Sequence, residues 1–209
     1  MGVFLPHIYS IREFDSILKS DPALKKYKIK IFGRIKDLLA LHKFSPYDVM
    51  ILPDYFSQNP PAGMEPKFVF LQNGKPIHRS HVATLADFSE NGQKLSMAAI
   101  DFVGNRRKSK ERVKDITAMG IKRIKLVKKG IDLYPMLILA NVTHILIDEI
   151  DMNRVVSESE VKLTTVKSIE VGNPVILVKK GVTKNYSGLL NIKSQTFKSL
   201  GYEKIRRLP

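Results

Sequence analysis

An α/β fold with largely parallel sheets is predicted for this chain by three observations. Short apolar runs of β character alternate with runs that carry apolar residues at helical spacing. The connections between them are short, as βα and αβ connections are. No segment recurs at a fixed period, which excludes a solenoid or a propeller.

The elements follow in order. A strand is expected over 3–5. Ser10-Ile-Arg-Glu13 is a capping box: the Ser10 hydroxyl accepts an orphan N–H of the first turn while Glu13 reaches back to the Ser10 N–H. Ile11, Phe14, Ile17 and Leu18 make the apolar stripe of that helix, which breaks at Asp21-Pro22. Residues 28–32 alternate as a strand. Ile35, Leu38, Leu39 and His42 give a helix over 34–43, and 47–52 is a β-rich run that stops at Pro53. Residues 57–66 hold Pro60, Pro61, Gly63 and Pro66 and are expected to form a loop.

A strand at 67–71 ends in the turn Asn73-Gly74. Residues 84–88 suggest a short helical turn before Asn91-Gly92, and 94–100 a strand. A polar connection over 102–108 leads into a helix at about 109–119, with Val113 and Ile116 inward and Gly120 as its stop. Next come a strand at 123–127, a helix at 133–140 capped near Asp132, and a strand at 144–147 ending in Asp148-Glu149. Strands at 161–166 and 174–178 and a final helix over 186–200, carrying Leu189, Ile192 and Phe197, complete the reading.

Composition narrows the function. The chain has 209 residues, 44% apolar and 26% charged, which is globular rather than disordered composition. It has no cysteine, so disulfide frameworks, cysteine-based zinc and iron–sulfur sites and thiol nucleophiles are excluded. Lys and Arg outnumber Asp and Glu by 35 to 20, a net charge of +15. Such a surface favours anions: nucleic acid, acidic lipid or small anionic ligands. No apolar stretch, 136–140 included, approaches the roughly 20 residues that span a bilayer. Residues 1–11 lack the layout of a secretory signal. The chain is therefore expected in the cytoplasm, or in the periplasm or another extracytoplasmic space if a signal has been removed.

In α/β folds ligands sit at the carboxyl ends of strands beside helix N-termini. This points to 53–56, 72–74, 101–109, 130–132 and 148–151. The loop Asp101-Phe-Val-Gly104-Asn105-Arg106-Arg107-Lys108-Ser109 follows a strand and opens a helix. Gly104 permits close backbone approach, helix N–H groups are free, and Arg106 and Arg107 add fixed charge, which together make an anion site. The same residues also fit a solvated basic turn.

Other patterns argue against catalysis. His144-Ile-Leu-Ile-Asp148-Glu149-Ile-Asp151 is similar to the magnesium-binding strand of an ATPase. No Gly-rich phosphate loop ending in Gly-Lys-Ser or Gly-Lys-Thr accompanies it. It reads as a buried strand ending in capping acids, with ligand contact by Asp148 or Glu149 as the functional alternative. Pro53-Asp54 with Glu160-Val-Lys162 matches a loose carboxylate–carboxylate–lysine pattern of metal-dependent nucleases, but its halves lie far apart. His78 and His81 could share a metal on a helix, but no third ligand accompanies them and an exposed pair fits better. Basic clusters at 25–30, 106–114, 122–129 and 198–207 are not interleaved with aromatics in an RNA-binding pattern. No catalytic residue, cofactor or metal is assigned, and the chain is expected not to be an enzyme.

The order of elements resembles type II periplasmic-binding-protein-like domains. Tyr47-Asp-Val-Met-Ile-Leu-Pro-Asp-Tyr-Phe56 resembles the end of their first lobe, where a strand precedes a binding loop. Residues 68–74 resemble the crossing into the second lobe. Asp87-Phe88 with Gly92-Gln-Lys-Leu-Ser-Met-Ala98 is similar to the opening of that lobe, 133–149 to its helix-then-strand segment, and 171–181 to the return strand with its Val-Lys-Lys-Gly turn. The resemblance implies two α/β lobes joined by a two-strand hinge, lobe one at 1–71 plus 175–209 and lobe two at 72–174. It implies a small anionic or zwitterionic solute held in an interlobe cleft, for transport or sensing, with a membrane transporter or sensor as partner. Its contact residues would be Tyr55, Phe56, Gly104, Asn105, Arg106 and Asp148, with Tyr55 or Phe56 covering the ligand. The charge keeps a basic nucleic-acid-binding or nucleic-acid-processing protein as the alternative.

Overall fold

The computed structural model of the chain describes residues 1–6, 10–89, 94–158, 162–181 and 186–209. The chain divides into two compact units, Met1–Ile77 with Gly172–Pro209, and His78–Val171. Residues 72–77 and 172–174 thus belong to the first unit, not the second, and hydrogen bonds explain why. Gln72 and Lys75 bond each other reciprocally across the turn. The Asn173 amide donates to the carbonyls of Phe70 and Lys75 at 3.0 and 3.1 Å, and its backbone N–H donates to Pro76.

The first unit is built on β1 (Gly2–Val3), β2 (Lys30–Ile31), β3 (Val49–Leu52), β4 (Met64–Leu71), β10 (Val175–Lys179) and β11 (Lys204–Arg207), in the order β11-β4-β10-β3-β1-β2. β1 pairs in parallel with β2 and β3, and the other described pairs are antiparallel. All four residues of β3 are buried, so the sheet is covered on both faces, and alternation sorts its side chains between two cores. Val49 and Ile51 join Phe14 and Leu18 of α1 (Ile11–Ser20) and Phe197 of α7 (Ser194–Ser199). Met50 and Leu52 join Ile35 and Leu38 of α2 (Ile35–Phe44) and Phe56 of α3 (Tyr55–Gln58).

The second unit repeats the plan. Its strands are β5 (Ile77–Leu85), β6 (Ser96–Ile100), β7 (Arg123–Val127), β8 (His144–Asp148) and β9 (Leu163–Gly172), in the order β7-β6-β8-β5-β9. β6 runs parallel to β7 and β8, whereas β5 is antiparallel to β8. One face packs on Val113 of α4 (Arg106–Thr117). The other packs on Leu133 and Leu137 of α5 (Leu133–Ile138) and on Met152 and Val155 of α6 (Glu149–Glu158). Both sheets therefore combine a parallel βαβ trio with antiparallel strands, and the chain passes between units within β5 and β9.

The capping box forms: the Glu13 N–H donates to the Ser10 hydroxyl at 3.2 Å. Several expectations change. The turn expected over 84–88 is shorter: 84–85 complete β5, where Ser80 and Thr84 are buried and hydrogen-bonded, and the turn follows, with the Phe88 N–H donating to the Leu85 carbonyl at 3.0 Å. The final helix splits into a 3-10 turn, Ser187–Asn191, and α7, separated by the extended backbone of Ile192 and Lys193. α6 and β11 were not expected. α6 continues from β8 without a Gly or Pro break, and β11 is charged on its exposed positions. The Asn91-Gly92 turn and the start of the 161–166 strand lie outside the described residues.

Candidate functional site

The loop leading into α4 is ordered by one carboxylate. Gly104 adopts φ +76°, which glycine tolerates without a Cβ clash. That turn lets the Gly104 N–H donate to Asp101 Oδ1 at 3.0 Å, and the buried Ser109 hydroxyl donates to the same oxygen at 2.6 Å. Asn105 is the N-cap: its backbone is extended and its side-chain oxygen accepts from the Lys108 N–H at 3.2 Å. The helix begins at Arg106, three residues before the expected start, because the Asn105 side chain caps it.

The first turn of α4 carries Arg106, Arg107 and Lys108 and no acid. The other helices of comparable length carry at least one acid there: Glu13 in α1, Asp37 in α2, and Glu149 and Asp151 in α6. Cations at the positive end of a helix dipole are each unfavourable by roughly 0.3–1 kcal/mol. An anion placed there meets both the dipole and the cations. Asp101 answers part of this field, but its Oδ1 is committed to Gly104 and Ser109. All three cations are exposed.

The remaining sequence-predicted positions have distinct surroundings. Asp148, at the end of β8, accepts from the Ser80 hydroxyl at 2.5 Å and lies 3.3 Å from His78 Nε2. Glu149 and Asp151 lie in the first turn of α6, so the segment is a mostly buried strand leading into an acidic helix start. His78 and His81 lie on β5, where residues three apart point to opposite faces. His81 bonds Ser168 instead, so the two do not form an exposed pair or converge on one metal. No cluster of potential metal ligands occurs among the described residues. Glu160 and Val161 lie outside them.

In the first unit, Tyr55 is half-buried and Phe56 is buried, their rings edge-to-face at 5.2 Å. Phe56 packs into the core and, with Tyr47 and Met64, lines a hollow of about 540 Å³ within that unit. Of the two rings, Tyr55 alone keeps appreciable exposed surface. Sequence reasoning did not assign Asp101 or Ser80. Each lies beside a residue that it did assign, and a hydroxyl facing a strand-end carboxylate has no signature in linear sequence.

No family model matches the chain, and no curated protein sequence matches it. Solved structures do. A binding-protein component of an ABC phosphonate transporter from Pseudomonas aeruginosa superposes with a TM-score of 0.71 at 12% identity, over 99% of this chain and 80% of that one. A protein from Xanthomonas citri, solved bound to ATP, gives 0.68 at 10% identity, over 100% of this chain and 90% of that one. The ligand-binding core of GluR0 with L-glutamate gives 0.52 at 12% identity, over 87% and 84%. The fold of this chain is that of the type II periplasmic-binding-protein-like domains. No helix among the described residues is long and apolar enough to cross a membrane.

Proposed function

We propose that this chain is a non-enzymatic, solute-binding-like domain that holds a small anionic or zwitterionic ligand at the N-terminus of α4, for transport or sensing. The observation that supports this is the acid-free first turn of α4, with Arg106 beside Gly104 and an N-cap already satisfied by Asn105. In this reading the N–H groups of Arg106 and Arg107 and the Arg106 guanidinium take the anionic group. Asp148 takes an amino group where the ligand has one. The fold supports the reading because structures that share it include a phosphonate-transporter binding protein and a glutamate-bound core. A transporter or sensor partner, and a place outside the cytoplasm, belong to the same proposal.

Thermal melting against phosphate, methylphosphonate, sulfate, acetate, glycine, glutamate and a short DNA, at low and moderate salt, tests it. A ligand at a hundred times its Kd stabilises by about 2.7 kcal/mol. For a chain of this size that is a rise of about 5–11 °C. One small solute should give such a shift at both salt concentrations, and Arg106→Ala should remove it. A shift with DNA alone that vanishes with salt would overturn the proposal and favour a nucleic-acid surface.

A further inference from the structure

A groove of about 980 Å³ runs along the outer edge of the second unit's sheet and reaches Arg106 and Arg107 at the start of α4. Its floor is the whole of β7 with Lys122 before it. β7 is the terminal strand of its sheet and pairs with β6 alone among the described residues, so one row of its backbone N–H and C=O groups faces outward. Alternation assigns the walls. Ile124 and Leu126 pack toward α4, while Val127 packs into the layer of α5, whose Met136 also borders the groove.

The charge along the groove is one-signed. α4 contributes Lys110 and Lys114, one turn apart, and the floor contributes Lys122 and Arg123, all four exposed. None of these four makes an ion pair among the described residues. Among the described residues the one acid lining the groove, Glu111, is held by Arg107 at 2.9 Å. An open strand edge normally invites non-specific pairing, and cations on it discourage copies of this same basic chain. They also select an occupant of opposite sign.

From this we propose that the β7 edge is a docking surface for an acidic, extended peptide segment of a partner protein, added as a further strand. The open backbone row supplies main-chain hydrogen bonds, the apolar residues accept alternate side chains, and the cations pair with acids between them. The floor of six residues matches about 20 Å of extended chain. The occupant is a peptide rather than nucleic acid because among the described residues no aromatic ring lines the groove to stack a base.

The probe is a short fluorescent peptide alternating Glu and Val, read by anisotropy with the full chain. It should bind, and the Lys110→Glu/Arg123→Glu double variant should weaken it by about tenfold or more. N-methylation of the peptide at alternate residues should abolish binding in one register and be tolerated in the other, a readout that leaves the protein unaltered. Equal binding by both methylated peptides, or no loss in the charge-reversed variant of unchanged melting temperature, would overturn strand addition. So would tighter binding by a single-stranded oligonucleotide that displaces the peptide. Lys110 and Arg123 take no part in the solute reading, so their variant should keep any small-solute melting shift, and either proposal can fail alone.

Discussion

Asp21 is the residue whose removal should cost the first unit most for its size. Its side chain is 1% exposed and joins segments far apart in sequence. Oδ1 accepts from the Ala23 N–H at 2.9 Å, at the start of a 3-10 turn. Oδ2 accepts from the Lys193 N–H at 2.8 Å and the Thr196 hydroxyl at 2.7 Å, at the entrance to α7. A hydrogen bond to a charged group contributes about 1.5–3 kcal/mol net. Two of the donors are helix-start N–H groups that can reach water once the carboxylate is gone, so the three do not add fully. Asp21→Ala should therefore lose about 3–5 kcal/mol, lowering the melting midpoint by roughly 6–20 °C. Thr196→Val removes one bond and should lose about 1.5 kcal/mol.

The pH dependence of this contribution has a definite sign. Burial pushes the Asp21 carboxyl up, but the hydrogen bonds from Thr196, Lys193 and Ala23, with the Lys193 charge, outweigh it and hold the group below its ordinary value. A carboxyl lowered in the fold contributes stability above its unfolded pKa, about 3.9, and loses it as pH falls through the folded value. The gap between wild type and Asp21→Asn, from urea melts at several pH values, should be constant above about pH 5 and shrink in acid. An Asp21→Ala loss under 1 kcal/mol at neutral pH, or a gap that widens on acidification, would refute the reasoning.

Three further outcomes are expected. A Cβ on Gly172 would overlap the Asp54 carboxylate, so Gly172→Ala should cost about 1–3 kcal/mol, and adding Asp54→Ala should recover most of it in a double-mutant melting cycle. Ala118 ends α4 at φ +47° on an exposed site; Ala118→Gly should stabilise by about 1 kcal/mol in a denaturant melt, because glycine adopts that conformation without strain. Phe70 is buried against the rings of Phe197 and Tyr202 at 5.8 and 5.0 Å; Phe70→Ala should cost about 3–5 kcal/mol and raise hydrogen exchange in α7.

Elements whose burial pattern is written locally were legible in the sequence. Ser10 and Glu13 announce the start of α1, and the continuous apolar run of β3 announces a strand covered on both sides. β5 was hidden because its first half is polar: Ser80 is buried only because Asp148, far along the chain, accepts its proton. The final helix was overestimated because Leu189, Ile192 and Phe197 are spaced as in one helix. In the fold they reach one core from two short turns joined by extended backbone. In the site, Gly104, Asn105 and Arg106 could be singled out because a glycine and the arginines after it, between a strand and a helix, are neighbours in sequence, whereas the cap at Asn105 was not read. The burial of Phe56 could not be, since an aromatic after a strand end faces ligand or core according to what packs over it.

The sequence by itself thus determined the α/β class, the basic surface, the absence of thiol chemistry and the basic cluster at 106–108, because each depends on residue type or on neighbours a few positions apart. Tertiary structure decided which unit owns the two crossings, through Asn173 and the 72–76 turn. It also turned the basic residues of α4 and β7 from two separate runs into the walls and floor of one groove, because β7 lies at the end of its sheet. Strand order and edges arise from pairings between distant segments, and those pairings are absent from any local pattern of residues.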